Sequence, residues 1–383
     1  MQRIAVTKHH RHAAGSDTGL RSEQGPNSGE HAGRSANPII KISDLAWLEF
    51  EKPDLARAET FARDFGFTVA DKDDSAIHLR GSFPGTPCVV IRRGQRSRFA
   101  GATFRAADRS DLDRLARKTE HRVESVHGLV ECDIVRLCDP SGFRVSVVYP
   151  SEELPGLPEQ QPHKMNTGLK PERVNRAQRP PSEPARVQRL GHLVLGTPHL
   201  ARTLDWYLGT LGMIVSDFQY LEGQREQGPT LAFIRCDRGS VPSDHHTLAL
   251  HLGPVAEYGH SAYQVTDLDA LAVGGEFLSH RGYQRAWGIG RHRLGSQIFD
   301  YWRDPDRLMV EHFTDGDMFD SSVEPGWGPM TASGLYQWGP RVGREFLGAN
   351  VSPKLIRDVI TALLRDNDIT SSRLAGMAKG MNK

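Results

Sequence analysis

A repeat constrains this chain more than anything else in it. The segment LGHLVLGTPHLARTLDWYLGTLGMIVSD, from Leu190, has the layout of LAWLEFEKPDLARAETFARDFGFTVADK, from Leu45. Each reads as a strand, a turn at a proline, a helix ending at Leu-Gly-Met or Phe-Gly-Phe, and a further strand. The glycine suits the position just past a helix end. A second pair follows, YGHSAYQVTDLDALAVGGEFLSHRGYQ from Tyr258 and FAGATFRAADRSDLDRLARKTEHRVES from Phe99. Both later close on a strand after Asp-Pro, in RDPDRLMVEHFTD and CDPSGFRVSVVYP. Four βαβββ modules result, two before a proline-rich break and two after it. One helix against several strands, repeated, predicts an α+β protein of two domains, each of two modules folded into a curved mixed sheet or barrel.

The break spans 151–185 and carries seven prolines, the composition of an extended linker. The first domain is expected over 39–150 and the second over 186–317. Residues 1–38 are rich in Gly, Ser, His and Arg and poor in apolar residues, so they are read as disordered. The run His9-His10-Arg11-His12 has metal-binding chemistry but no fold to hold it. The tail, 318–383, begins Gly/Pro/Trp-rich, with Trp327 and Trp338 read either as a lid or as packed residues. It then carries an amphipathic helix over 352–365, opening on Ser-Pro.

Lys+Arg 48 against Asp+Glu 47 leaves a formal charge of +1. That balance argues against nucleic acid or an anionic membrane as the main partner. Four cysteines without zinc-finger spacing fit a reducing cytoplasm. No apolar run is long enough to span a membrane, and no secretory signal opens the chain.

Aligning the halves separates scaffold from chemistry. His192 falls on Trp47, each six residues before its proline, and Glu311 falls on Ser146, each seven after the Asp of its Asp-Pro. His260 falls near Gly101. Three potential ligands therefore occur in the second pair of modules and not in the first. Glu311 sits in Leu-Met-Val-Glu-His-Phe, which otherwise reads as a buried strand, and a carboxylate there is costly unless something pairs with it. Taken one at a time, these residues read as satisfied core histidines and an edge-strand acid. Taken together at equivalent positions, two imidazoles and a carboxylate form the facial set that holds non-haem Fe(II) with open positions.

Around these residues the spacing His292-x8-Tyr301-x9-Glu311, the run Asp244-His245-His246-Thr247 fourteen residues before His260, and the turn Asp304-Pro305-Asp306 occur together. With His192 and His260, this pattern resembles the type I extradiol ring-cleaving dioxygenases of the vicinal oxygen chelate superfamily. Residues 39–150 resemble that family's non-catalytic domain. The resemblance implies that His192, His260 and Glu311 ligate Fe(II), with Mn(II) in some members, and that a catechol-type diol and O2 are the substrates. It implies that His246 is the acid/base histidine beside the O2 position, and that His292 and Tyr301 hydrogen-bond substrate oxygens. It also implies a homo-oligomer. A histidine titrating near neutrality suits deprotonation of a diol, and a tyrosine hydroxyl suits an oxygen that stays anionic.

His245 is a poorer candidate than His246, because neighbouring strand residues face opposite ways. The same alternation puts Tyr301 on one face with Phe299 and Arg303. Phe233, Trp287 and Phe299 suggest an apolar aromatic substrate. Val194 stands where some relatives carry a polar residue. Two other classes remain on the same fold. A glyoxalase-like isomerase or transferase needs metal but no His246, His292 and Tyr301 set. A small-molecule binding protein needs no triad.

Overall fold

The protein is described by a computed structural model covering residues 23–343, 345–348, 350 and 352–380. The His9-His10-Arg11-His12 run lies outside the described residues.

The four repeats are four βαβββ modules. The first comprises β2 (Ile42–Lys52), α1 (Leu55–Asp64), β3 (Thr68–Lys72), β4 (Ala76–Arg80) and β5 (Val89–Arg93). The second comprises β6 (Arg98–Ala106), α2 (Arg109–Thr119), β7 (Val123–Val126), β8 (Cys132–Cys138) and β9 (Arg144–Pro150). The third comprises β10 (Arg189–Thr197), α3 (Leu200–Leu211), β11 (Met213–Tyr220), β12 (Leu231–Cys236) and β14 (Leu248–Leu252), with the short β13 (Ser243–Asp244) before the last. The fourth comprises β15 (Glu257–Gln264), α4 (Leu268–His280), β16 (Gln284–His292), β17 (Ile298–Arg303) and β18 (Met309–Thr314).

Strand order is the same in both halves. The first sheet runs β3-β4-β5-β2-β6-β9-β8-β7, and the second contains β11-β12-β14-β10-β15-β18-β17-β16. In each, two modules meet through an antiparallel pair of their first strands, β2 with β6 and β10 with β15. The second sheet is extended by strands from the ends of the chain. β1 (Glu23–Gln24) pairs with β20 (Gly326–Pro329), which lies beside β11, and β21 (Tyr336–Trp338) lies beside β16. β19 (Met318–Phe319) pairs with β13.

Capping sets the helix starts. Asp54, Asp108 and Asp267 each accept a backbone N–H at the openings of α1, α2 and α4, a contribution of about 1 kcal/mol apiece. α3 opens at His199 with no cap of its own. Asp368, from the tail, supplies one by accepting the Ala201 N–H at 2.8 Å, and its charge suits the positive end of the helix.

One cluster of buried apolar residues runs through both halves. Phe50 meets Tyr258 and Phe67 meets Tyr263 edge to face, with centroids 5.4 and 4.7 Å apart. Each Asp-Pro turn docks on the other half. Asp304 and Asp306 take the buried Lys52 ammonium at 2.5 and 2.7 Å, while Ser141 bonds Thr197 at 2.5 Å and Asp139 accepts from Tyr207.

Two expectations need correction. Residues 23–38 are not a disordered extension: β1 pairs with β20, Arg34 bridges Ile214, and Arg225 pairs with Glu23 and Glu30. The tail carries a second helix, α6 (Ser371–Gly380), after the expected one, α5 (Pro353–Leu363), which Ser352 caps. Residues 151–185 form no helix or strand, and Leu154 makes an isolated bridge to Gly85. No helix among the described residues is long and apolar enough to cross a membrane.

Candidate metal centre

Register brings the three expected ligands together. Across β10, β15 and β18, His192 faces Ala262 and Ala262 faces Glu311. Cross-strand partners share a face, and so do residues two apart on one strand. His260, two before Ala262, therefore points the same way as His192 and Glu311. The small Ala262 side chain leaves room between them. Gly191 makes room for Phe313 of β18. A Cβ there would lie 2.3 Å from the Phe313 ring, which packs against His192 with centroids 5.5 Å apart.

The ligand atoms of His192, His260 and Glu311 all lie within 4.8 Å of one another. Nε2 of each histidine is 3.2 Å from Glu311 Oε2. The His192 contact has hydrogen-bond geometry, whereas His260 Nε2 is left without a hydrogen-bond partner, as is Glu311 Oε1. Glu311 is fully buried. Burial pushes its carboxyl up, but the pull of His192 and His260 outweighs it and holds the group well below the usual carboxylate range. Burial keeps His260 below the usual histidine range despite Glu311.

The residues fit a divalent cation. Ligands about 2.1 Å from an octahedral ion lie about 3 Å from their neighbours, close to the 3.2 Å between Glu311 and each histidine. Orphaned donor atoms on a buried carboxylate and a buried imidazole are otherwise costly.

The remaining site residues surround this set. The His246 ring packs on His192, with centroids 4.1 Å apart, and on Phe233 at 5.0 Å. Burial first, then the neighbouring His192 and His245, holds His246 well below the usual histidine range. His292 Nδ1 lies 2.9 Å from the Leu335 carbonyl and Nε2 lies 2.8 Å from the Tyr301 hydroxyl. A carbonyl only accepts, so Nδ1 carries the proton, Nε2 is an acceptor, and Tyr301 donates to it. Burial lowers His292 to about 4, so it stays neutral. Burial, then the charge of Glu311, keeps the Tyr301 phenol well above its usual range. Tyr301 and Phe299 share a cluster with Trp287, which Tyr336 and Phe346 of the tail cover.

All six expected residues thus converge. Trp327 is packed in β20, 2% exposed and remote from this cluster, while Trp338 lies at the rim under Arg291. His245 does not face the ligands, but it bonds His246: neither lies in a regular strand, and the bend between β13 and β14 sets their rings at 89°. Sequence reasoning missed Asp217, which bonds His245, and the Leu335 carbonyl, which has no side-chain signal at all. Surface hollows at 128–131 with 152–154, and near 159–163, carry none of these residues.

A family model, the Glyoxalase/Bleomycin resistance protein/Dioxygenase superfamily, matches residues 189–312. Metapyrocatechase 2 of Cupriavidus necator is 30% identical over 323 residues, covering 82% of this chain and 94% of that protein. The chain belongs to the type I extradiol ring-cleaving dioxygenases of this superfamily. The Mn(II)-bound glyoxalase from Novosphingobium aromaticivorans superposes with a TM-score of 0.66 at 19% identity, covering 82% of this chain and 95% of that one. Homoprotocatechuate 2,3-dioxygenase from Brevibacterium fuscum superposes at 0.65 with 20% identity, covering 83% and 95%. Those two share the fold and differ in chemistry, so the fold alone does not choose between them.

Proposed function

We propose that this protein is an Fe(II)-dependent extradiol dioxygenase, with Mn(II) the other ion its donor set suits. It opens a catechol-type ring beside the diol and adds both atoms of O2, giving a ring-opened semialdehyde-type acid. His192, His260 and Glu311 hold the ion. The observation that carries this reading is the convergence of those three donors on one buried face, with His246, His292 and Tyr301 beside them.

When bound, the ion supplies Lewis acidity and a common docking point for diol and O2. The neutral His246 takes up a diol hydroxyl proton and later returns it. Tyr301 stays protonated and donates a hydrogen bond, to His292 in the resting site and to a substrate oxygen once the diol is seated. His292 is held in one tautomer by the Leu335 carbonyl. Trp287, Phe299 and Phe346 pack the ring side and exclude water. An isomerase or transferase would keep the triad but leave His246, His292 and Tyr301 without a task.

The test is anaerobic loading of metal-free protein with Fe(II) or Mn(II), then O2 uptake across a catechol panel. The expected product is heavier than its diol by two oxygen atoms. Metal-loaded protein that consumes no O2 with any catechol sinks the reading.

A further inference from the structure

We propose that Asp217 and His245 form a buried hydrogen-bond chain that fixes the tautomer and orientation of His246, leaving a lone pair on its Nε2. The proposal builds on the acid/base role assigned to His246.

The chain is continuous. Asp217 Oδ2 lies 2.8 Å from His245 Nε2, and His245 Nδ1 lies 3.0 Å from His246 Nδ1. Asp217, His245 and His246 are 8%, 1% and 4% exposed. A carboxylate only accepts, so His245 Nε2 donates to it. In a neutral imidazole that donates through Nε2, Nδ1 has only a lone pair. With His245 neutral, His246 Nδ1 is the donor of the second bond. Its Nε2 is left unprotonated, the state a base needs. A carboxylate behind a histidine sets which nitrogen of the next group carries the proton.

The backbone is shaped to build this chain. The β11–β12 register shifts between Val215 and Asp217, and such a bulge re-aims side chains. Ser216 and Asp217, adjacent in sequence, therefore both address His245. Ser216 Oγ donates to the His245 carbonyl at 2.5 Å and accepts from the buried Arg235 at 2.8 Å. His245 N–H donates to the Asp317 carbonyl. Gly295, at φ +82°, passes so close that a Cβ would lie 2.9 Å from His245 Nδ1. Phe233 and Phe319 flank the ring.

The first sheet supplies an internal control. It carries the same bulge, between Val69 and Asp71, but Asp71 is exposed. Leu48 pairs with Val89 as Leu193 pairs with Leu248, so Thr86 and Pro87 occupy the places of His245 and His246. The aspartate of the bulge is common to both sheets. Its histidine relay belongs only to the sheet with the metal ligands.

The test reads the tautomer directly, by long-range 1H–15N correlation on metal-free protein with 15N-labelled histidine. The His246 signals are those absent from His246→Asn. Wild-type His246 is expected protonated on Nδ1 only. Asp217→Leu and His245→Phe should each raise the Nε2-protonated fraction. His245→Gln, whose amide oxygen can accept, should keep the wild-type tautomer. In metal-loaded protein, Asp217→Leu and His245→Phe should lower kcat about 10- to 100-fold with little change in KM, and His245→Gln should recover most of it. Wild-type His246 protonated on Nε2 overturns the proposal, with no variant needed. A tautomer unchanged in both Asp217→Leu and His245→Phe overturns it too. The expected tautomer in a protein that consumes no O2 would leave the chain standing and remove only the dioxygenase reading.

Discussion

Glu311 stands in the second sheet where Ser146 stands in the first. Glu311 faces Ala262, which faces His192, and Ser146 faces Thr103, which faces Trp47. One backbone design thus carries a row of candidate ligands in one copy and a row without them in the other. Glu311→Ser copies the row without them. It should lower metal affinity by more than about 100-fold, beyond the loss typical of outer-shell partners, with iron per chain as the readout. Chelation should lower the melting temperature of the wild type and leave that of Glu311→Ser unmoved, because only a ligand that binds the native state stabilises it.

His246 touches His192 but not the carboxylate that completes the triad. His246→Asn should therefore keep the metal and lower kcat about 10²- to 10⁴-fold, the range of a lost acid/base group. Metal content and turnover on one preparation separate the two effects. Unchanged turnover would remove the acid/base role.

Tyr301→Phe deletes the donor to His292 Nε2 and leaves that nitrogen buried without a partner. Stability should fall by about 1–3 kcal/mol, measured by urea unfolding of the metal-free protein. Metal content should hold, and turnover should drop if the hydroxyl also donates to substrate.

Lys52 is the cation between two carboxylates of the Asp304-Pro305-Asp306 turn, with Arg57 also reaching Asp306. Lys52→Met would leave the buried Asp304 without its cation, at a cost of about 3 kcal/mol or more, while Asp306 keeps Arg57. The turn leads directly into β18, so loosened metal binding by Lys52→Met would show that the first half helps hold Glu311 in register.

Asp300 lies on the opposite face of β17 from Tyr301, fully buried against Arg285 and Trp302. Burial outweighs the pull of Arg285 and raises its carboxyl to about 7. The folded state therefore holds a proton that the unfolded chain releases near pH 4. Its stabilising contribution is full below about pH 4 and is lost as pH rises to about 7, on the order of 4 kcal/mol in all. Asp300→Asn should flatten that part of the stability profile. Denaturant midpoints at pH 5 and pH 7.5 for both proteins provide the check, and parallel profiles would contradict it.

The modules and the ligands were legible because both follow local rules. A strand–helix–strand pattern repeats in sequence, and a βαβββ unit keeps its register from copy to copy. His192, His260 and Glu311 could be found by comparing the chain with itself. Asp217 could not. It reaches His245 only through a bulge, and no periodicity reports a bulge. The pairing of β1 with β20 was equally hidden, because two-residue strands leave no alternation to detect and their partners lie some 300 residues apart.

By itself, then, the sequence determined the four modules, the half that holds the three candidate ligands and the six residues that converge around them, since each is written in short-range pattern or internal comparison. Only the tertiary structure decided how those residues are wired. Leu335 sets the His292 tautomer, Asp217 and His245 stand behind His246, Asp368 caps α3 and Lys52 clamps the turn before Glu311. Each of these is a directional contact between groups distant in the chain. A hydrogen bond depends on angle and distance in space, which residue order does not encode locally.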